Sequence, residues 1–416
     1  MNPLLKPDSK LLPWAVFASV LVIYLLFPTR NFYWDGVDFA YDIERASSAL
    51  DPALIHANHL LYSPLGRLAY ELSRALGFEA RALEVLQVKN CLLSALCALL
   101  LFYVLQRVTR SVYVSIFLAL LFAFSATWWK FSTDANSYVI SALFLVAAFY
   151  FLLPDAPPRP LAVALLHTAA MLFHQLAVFF YPAAVLGLLL QTKDTTPRRY
   201  LPALQYTAAA VLLTVAVYFY CFNLKTGLAA PEDFLRWISS YSSGSGGFSF
   251  DFLDNLRYTL RGHVRLFAGG RVTMLGGLLN FSVAALIVLL CAAAVALSVQ
   301  LVRTAGGLRT VLARLAEPRR PTPVELLALV WAAPYVVFCF FFYPSDTFHR
   351  LVYLPALVLL LACALVRLGA AERGPRRFRL ALTVAALSLA NFCFLIYPFA
   401  HTLNNPPLAT ALQMRE

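Results

Sequence analysis

Long apolar runs separated by short polar stretches set the rhythm of this chain. The runs cover about 11–27, 83–106, 112–129, 136–153, 161–190, 201–222, 275–302, 323–343, 351–366 and 380–399. A helix needs roughly 20 apolar residues to cross a hydrocarbon core of about 30 Å, so each run predicts a transmembrane helix. The run 161–190 is too long for that. At 1.5 Å per residue it would reach about 45 Å as a single helix. It reads either as one tilted helix or as two short helices meeting at His174-Gln175.

Charge separates these options. Splitting the run puts 303–322 and 367–379, each with five arginines, on the cytoplasmic side with Lys6 and Lys10. A single crossing would invert them. The split therefore predicts an all-α polytopic membrane protein, one transmembrane domain over 1–416 with about 11 transmembrane helices. Its N-terminus is inside, as a retained signal-anchor with no small-residue cleavage site, and its C-terminus is outside.

The polar stretches add two large outer loops, 29–82 and 223–273. In the first, Leu65, Leu68, Leu72 and Leu76 share one helical face and Arg67, Glu71 and Arg74 lie on others. That spacing predicts an amphipathic helix along the membrane surface. The second contains the Ser/Gly run 239–247, whose composition suits a flexible segment. It reads either as a solvated linker or as a lid over bound substrate.

Composition agrees with the pattern. Apolar residues make up 61% and charged residues 13%, against about 25% charged in soluble chains. The net charge of +12 follows from arginine-rich inner loops and does not by itself point to nucleic acid. The seven cysteines are an odd number and lie inside apolar runs, which favours packing over a disulfide framework. No CxxC or Cys/His metal spacing occurs.

Chemistry-bearing residues gather on the outer side. Asp35 and Asp38 follow the first span in Tyr33-Trp34-Asp35-Gly36-Val37-Asp38, where Gly36 leaves the backbone open to a substrate. His56 and His59 lie further along. Lys130, Asp134 and Asn136 mark the turn before the fourth span, after an interfacial Trp128-Trp129. His174 and Gln175 mark the split, and Asp346, His349 and Arg350 the turn before the tenth span. Each residue also has an ordinary structural role open to it, such as helix capping for Asp134, snorkelling for Lys130 or interfacial anchoring for Arg350. Gathering on one face is what those separate roles do not predict.

The runs Asp35…Asp38-Phe39 and His59-Leu60-Leu61-Tyr62-Ser63-Pro64-Leu65 are followed by Asn90, Trp128-Trp129, Ser137-Tyr138 and His174. With the topology above, this stretch of about 31–190 resembles the GT-C superfamily, and within it a bacterial branch related to transmembrane O-mannosyltransferases. These are multi-spanning glycosyltransferases that use lipid-phosphate-linked sugars. The resemblance implies transfer from a polyprenyl-phosphate-linked sugar to an acceptor hydroxyl on the outer face, with inversion. Asp35 or Asp38 would be the general base. Arg350, His349 and Lys130 would bind the donor phosphate. Asp134, His59, His174 and Asp346 would serve the acceptor or an accessory role, with a divalent metal as an open option at Asp38 or Asp134. Relatives often carry two adjacent acids where Gly36-Val37 here intervene, which leaves the choice of base open. The expected location is a bacterial cytoplasmic membrane with the site facing the periplasm. The alternative is a transporter or flippase of a lipid-linked or amphiphilic substrate, which would place ionisable groups such as His167 near mid-membrane.

Overall fold

Helix α1 (Leu12–Leu26) and the long α4 (Ala82–Thr109) flank the first polar loop, which itself carries α2 (Trp34–Arg45) and α3 (Tyr62–Ala75). There follow α5 (Val112–Ala123), α6 (Ala126–Ser132), α7 (Tyr138–Phe151), α8 (Pro160–Phe173), α9 (Tyr181–Gln191) and α10 (Leu201–Thr226). The second polar loop carries α11 (Pro231–Ser243) and α12 (Phe252–Phe267). The chain continues through α13 (Phe281–Val302), α14 (Pro323–Phe341), α15 (Leu354–Arg367), α16 (Gly374–Asn391) and α17 (Tyr397–His401). This computed structural model describes residues 11–192, 195–243, 247–302, 319–368 and 374–402. Lys6, Lys10, most of the basic stretch 303–322, part of 367–379, Gly244–Gly246 of the Ser/Gly run and the tail from 403 lie outside the described residues.

Among the described residues, six helices are long and apolar enough to cross a membrane, and α5 with α6 makes a seventh if that bent pair is one span. Four shorter apolar helices accompany them: Leu12–Leu26, Tyr138–Phe151, Pro160–Phe173 and Gln175–Gln191. The outer surface of the bundle is apolar, with Val288, Leu289 and Val295 of α13 and Leu204, Leu212 and Val215 of α10 exposed. Such surfaces are stable in contact with lipid tails. The protein is a helical, multi-pass membrane protein.

Helix α4 is the axis of the bundle and touches α1, α2, α3, α5, α6, α7 and α15. Its buried positions include the small residues Cys91, Ser94, Ala95, Cys97 and Ala98, which let neighbouring backbones approach. All the cysteines are free thiols.

Three expectations are revised. The run 112–129 is not one straight helix, because Ser125 takes an extended conformation and α6 leaves α5 at 67°. Trp128 and Trp129 are not interfacial. Both are buried, the first against Phe122 and the second against Phe124 and Phe392. The second polar loop is largely helical, and Ser239–Ser243 belong to α11.

The long run 161–190 breaks at His174, whose backbone is extended. A 310 turn (Gln175–Phe180) then leads into α9. Gln191 Nε2, at the far end of α9, donates to Phe151 O (2.7 Å) and Leu153 O (2.9 Å), close to where α8 began. The segment therefore turns back on itself at His174.

Candidate active site at one end of the bundle

Two loops are clamped together before any functional group is placed. Gln87 of α4 donates through Nε2 to Thr29 O (2.8 Å) and Thr133 O (2.9 Å). One turn on, Asn90 donates through Nδ2 to Asp134 O and Asn136 O, both at 2.7 Å. Amides on a spanning helix thus hold the loop before α2 against the loop before α7. Within the clamp, Asp134 accepts from Tyr33 N (2.8 Å) and Lys130 Nζ (2.6 Å) on one oxygen and from Ala135 N (2.8 Å) on the other. The first turn of α2 is thereby fixed.

Gly36 completes the contact. A Cβ there would lie 2.3 Å from Ala135 O, so only glycine lets α2 settle this closely. It is buried against protein rather than open to a substrate.

From this seat α2 projects Asp35, Asp38 and Asp42 along one face, at i, i+3 and i+7. They line a cavity of about 710 Å³. The rest of its lining includes His56, Asn58 and His59 from the first loop, Tyr138 of α7, His174 and Gln175 at the break, and Tyr343, Asp346, Phe348 and His349. Rings interleave there: His56 stacks on His59 at 5.2 Å between centroids, and His174 lies 4.8 Å from His59 and 4.2 Å from Tyr138.

The local electrostatics are those of carboxylates and imidazoles drawn out of water. Burial raises Asp35 above the usual carboxylate range, partly offset by the Tyr33 hydroxyl beside it, and the charge of Asp38 adds to the rise. Burial raises Asp38 and Asp42 too, with Lys225 opposing the shift at Asp42. Burial pushes His56 down to about 4, helped by Lys225, and His59 to about 3, helped by His56. Both rings are neutral near pH 7.

Backbone contacts select their tautomers. Leu176 N donates to His174 Nδ1 (3.1 Å), and Asn58 N donates to His56 Nδ1 (3.3 Å). A neutral ring that accepts at Nδ1 carries its proton on Nε2, so both rings are donors there. His59 Nδ1 lies 2.9 Å from Ser137 Oγ. The cavity therefore has an acceptor wall of carboxylates and a wall that includes neutral imidazole donors.

Asp35, Asp38, His59, His174, Asp346 and His349 are brought together here, as residues far apart in sequence. Three other expected site residues point elsewhere. Arg350 is fully buried, its guanidinium donating to Pro344 O (2.8 Å) and to Asp346 O, beneath Gly262 of α12. Lys130 is paired with Asp134, and Asp134 has both oxygens engaged. Phosphate binding by Arg350 or Lys130 finds no geometric support, because Arg350 is enclosed with its two terminal nitrogens on backbone carbonyls and Lys130 is held by Asp134. Nor does a metal at Asp134, whose oxygens are both engaged. Among the described residues no three His, Cys, Asp or Glu side chains converge as metal ligands would.

Sequence reasoning missed Tyr33, Asp42 and Tyr343 as lining residues. The signal for Asp42 was present, since helical periodicity from Asp35 and Asp38 reaches it one turn later. A second cavity, of about 610 Å³ and almost wholly apolar, lies between Phe179, Phe248, Val330, Pro334, Val337 and Phe341. Phe338 lines both. No protein-family model matches the chain, and no curated protein matches it in sequence.

Proposed function

We propose that the protein is a GT-C-like glycosyltransferase, moving a sugar from a polyprenyl-phosphate donor to an acceptor hydroxyl. One observation carries this reading: a polar cavity with a carboxylate wall shares Phe338 with an apolar groove on the side of the bundle. A substrate with a polar reacting head and a long apolar tail matches that pairing. The eleven-span topology, with this end of the bundle facing the periplasm of a bacterial inner membrane, belongs to the same proposal.

Asp35 is assigned as the base. Partial burial raises its proton affinity, and Tyr33 holds its orientation. The carboxylate takes the acceptor proton as the acceptor oxygen bonds to the anomeric carbon. The bond from that carbon to the phosphate oxygen breaks, and the electron pair leaves with the polyprenyl phosphate. One displacement inverts the centre and needs no enzyme nucleophile. The Nε2–H group of His174 supplies a hydrogen bond to the polar head, and Asp38 and Asp42 accept from sugar or acceptor hydroxyls.

The transporter reading names a single mid-membrane candidate, His167. His167 lies buried between Tyr206 Oη (2.6 Å) and Ala177 O (2.8 Å), with both ring nitrogens engaged. The deciding experiment incubates purified protein with a panel of polyprenyl-phosphate sugars and acceptors and measures released polyprenyl phosphate. Release that depends on Asp35 supports the proposal. No release with any donor, together with donor flipping in liposomes, supports transport instead.

A further inference from the structure

Helix α12 divides its circumference into three sectors. Asn255, Thr259, Gly262 and Leu266 are buried, and the helix docks on α6, α14 and the turn 348–353. A second sector is apolar yet exposed: Leu253 is 76%, Leu256 39%, Leu260 61% and Val264 65% accessible. Their three- and four-residue spacing makes them one stripe. The third sector carries Arg257, Arg261 and Arg265, each one turn from the next.

Among the described residues, none of Arg257, Arg261, Arg265 and Arg271 forms an ion pair. Arg261 and Arg271 lie close enough to Arg265 to help burial hold it below its ordinary value. The nearest acids in sequence, Asp251 and Asp254, sit at the N-terminal end, where Asp251 caps the helix by accepting from Asp254 N (3.0 Å).

An apolar stripe and an adjacent unpaired basic stripe, on a helix already docked along a third face, fit a boundary between acyl chains and phosphates. We propose that α12 lies in the membrane interface and binds anionic phospholipid, with Leu253, Leu256, Leu260 and Val264 among the acyl chains and Arg257, Arg261 and Arg265 on the headgroup phosphates. This stands independently of any sugar transfer.

The test uses the full chain in a neutral detergent, titrated with phosphatidylglycerol or phosphatidylcholine and read by thermal unfolding. Phosphatidylglycerol should raise the melting temperature more than phosphatidylcholine does, and 0.5 M salt should shrink the difference. Each arginine changed to Gln should weaken apparent phosphatidylglycerol affinity by roughly fivefold. The triple Gln variant should lose most of the difference, and the triple Lys variant should keep it. Equal responses to the two lipids, or an undiminished difference in the triple Gln variant, would overturn the proposal. So would an equal rise with inorganic phosphate alone, which would mark a soluble-anion site, or with an added soluble protein, which would mark a protein-docking face.

Discussion

At the scale of single residues, Asp35 and Asp134 illustrate two fates of a buried acid. Asp134 is spent on structure, with Lys130, Tyr33 N and Ala135 N as partners. Asp134→Ala strands the largely buried Lys130 ammonium and should cost about 3 kcal/mol of stability, seen as a lower melting temperature in detergent. Asp134→Asn should recover part of it; wild-type melting of the Ala variant would refute the structural role. Asp35 instead faces the cavity. Asp35→Asn should melt near the wild-type temperature yet transfer sugar at least about a hundredfold more slowly. An unaffected rate in Asp35→Asn, Asp38→Asn and the double variant together would end the transferase reading. Titration has a sign for each group. Asp35 is raised, so its basic form is lost at a higher pH than that of a free aspartate, and activity should fall as pH drops through that raised value. His56 stays neutral down to about 4 when folded, but its unfolded form takes a proton near 6.5. In that window the unfolded state binds more protons, so stability is lost as pH falls. The raised carboxylates contribute the opposite slope. His56→Gln should therefore lessen the fall in melting temperature between pH 7 and pH 5; an unchanged slope would remove His56 as its source.

At the scale of elements, the first turn of α2 matters more than its length. It is held by Gly36 against Ala135 and by the amides of Gln87 and Asn90 on α4. Gln87→Leu removes a donor from Thr29 O and Thr133 O; Thr133 O keeps Thr29 N, so the main cost is roughly 1–3 kcal/mol for leaving Thr29 O unsatisfied. The expected result is a lower melting temperature and weaker transfer, although Gln87 does not line the cavity. Transfer at the wild-type rate would show that the clamp does not position α2. The break at His174 works similarly. By ending α8 there, the chain brings an imidazole beside Tyr138 and His59, which a continuous helix would have carried away.

At the scale of the whole molecule, the proposal depends on sidedness. With Cys221 and Cys291 replaced by Ala, Glu232→Cys should react with an impermeant thiol reagent from outside intact cells. Arg320→Cys should react only after the membrane is opened. The reverse pattern would turn the cavity to the cytoplasm and remove the periplasmic part of the reading.

The hydrophobic pattern determined the helical membrane class and the apolar stripe of α3, because those depend on local periodicity and on burying apolar surface in lipid; the break at His174-Gln175 needed the distribution of arginines as well. Tertiary structure decided which polar groups face a cavity and which face protein. Arg350, Lys130 and Trp128 read as surface or site residues, yet packing encloses them, and no linear pattern says which of a helix's polar neighbours will supply the carbonyls. Asp42 was legible by helical spacing once α2 was known to be a helix. The pairing of acids with imidazoles was not, since the cavity draws on segments from Asp35 to His349, and the side-chain amides on α4 fix only the loops around Thr29 and Thr133.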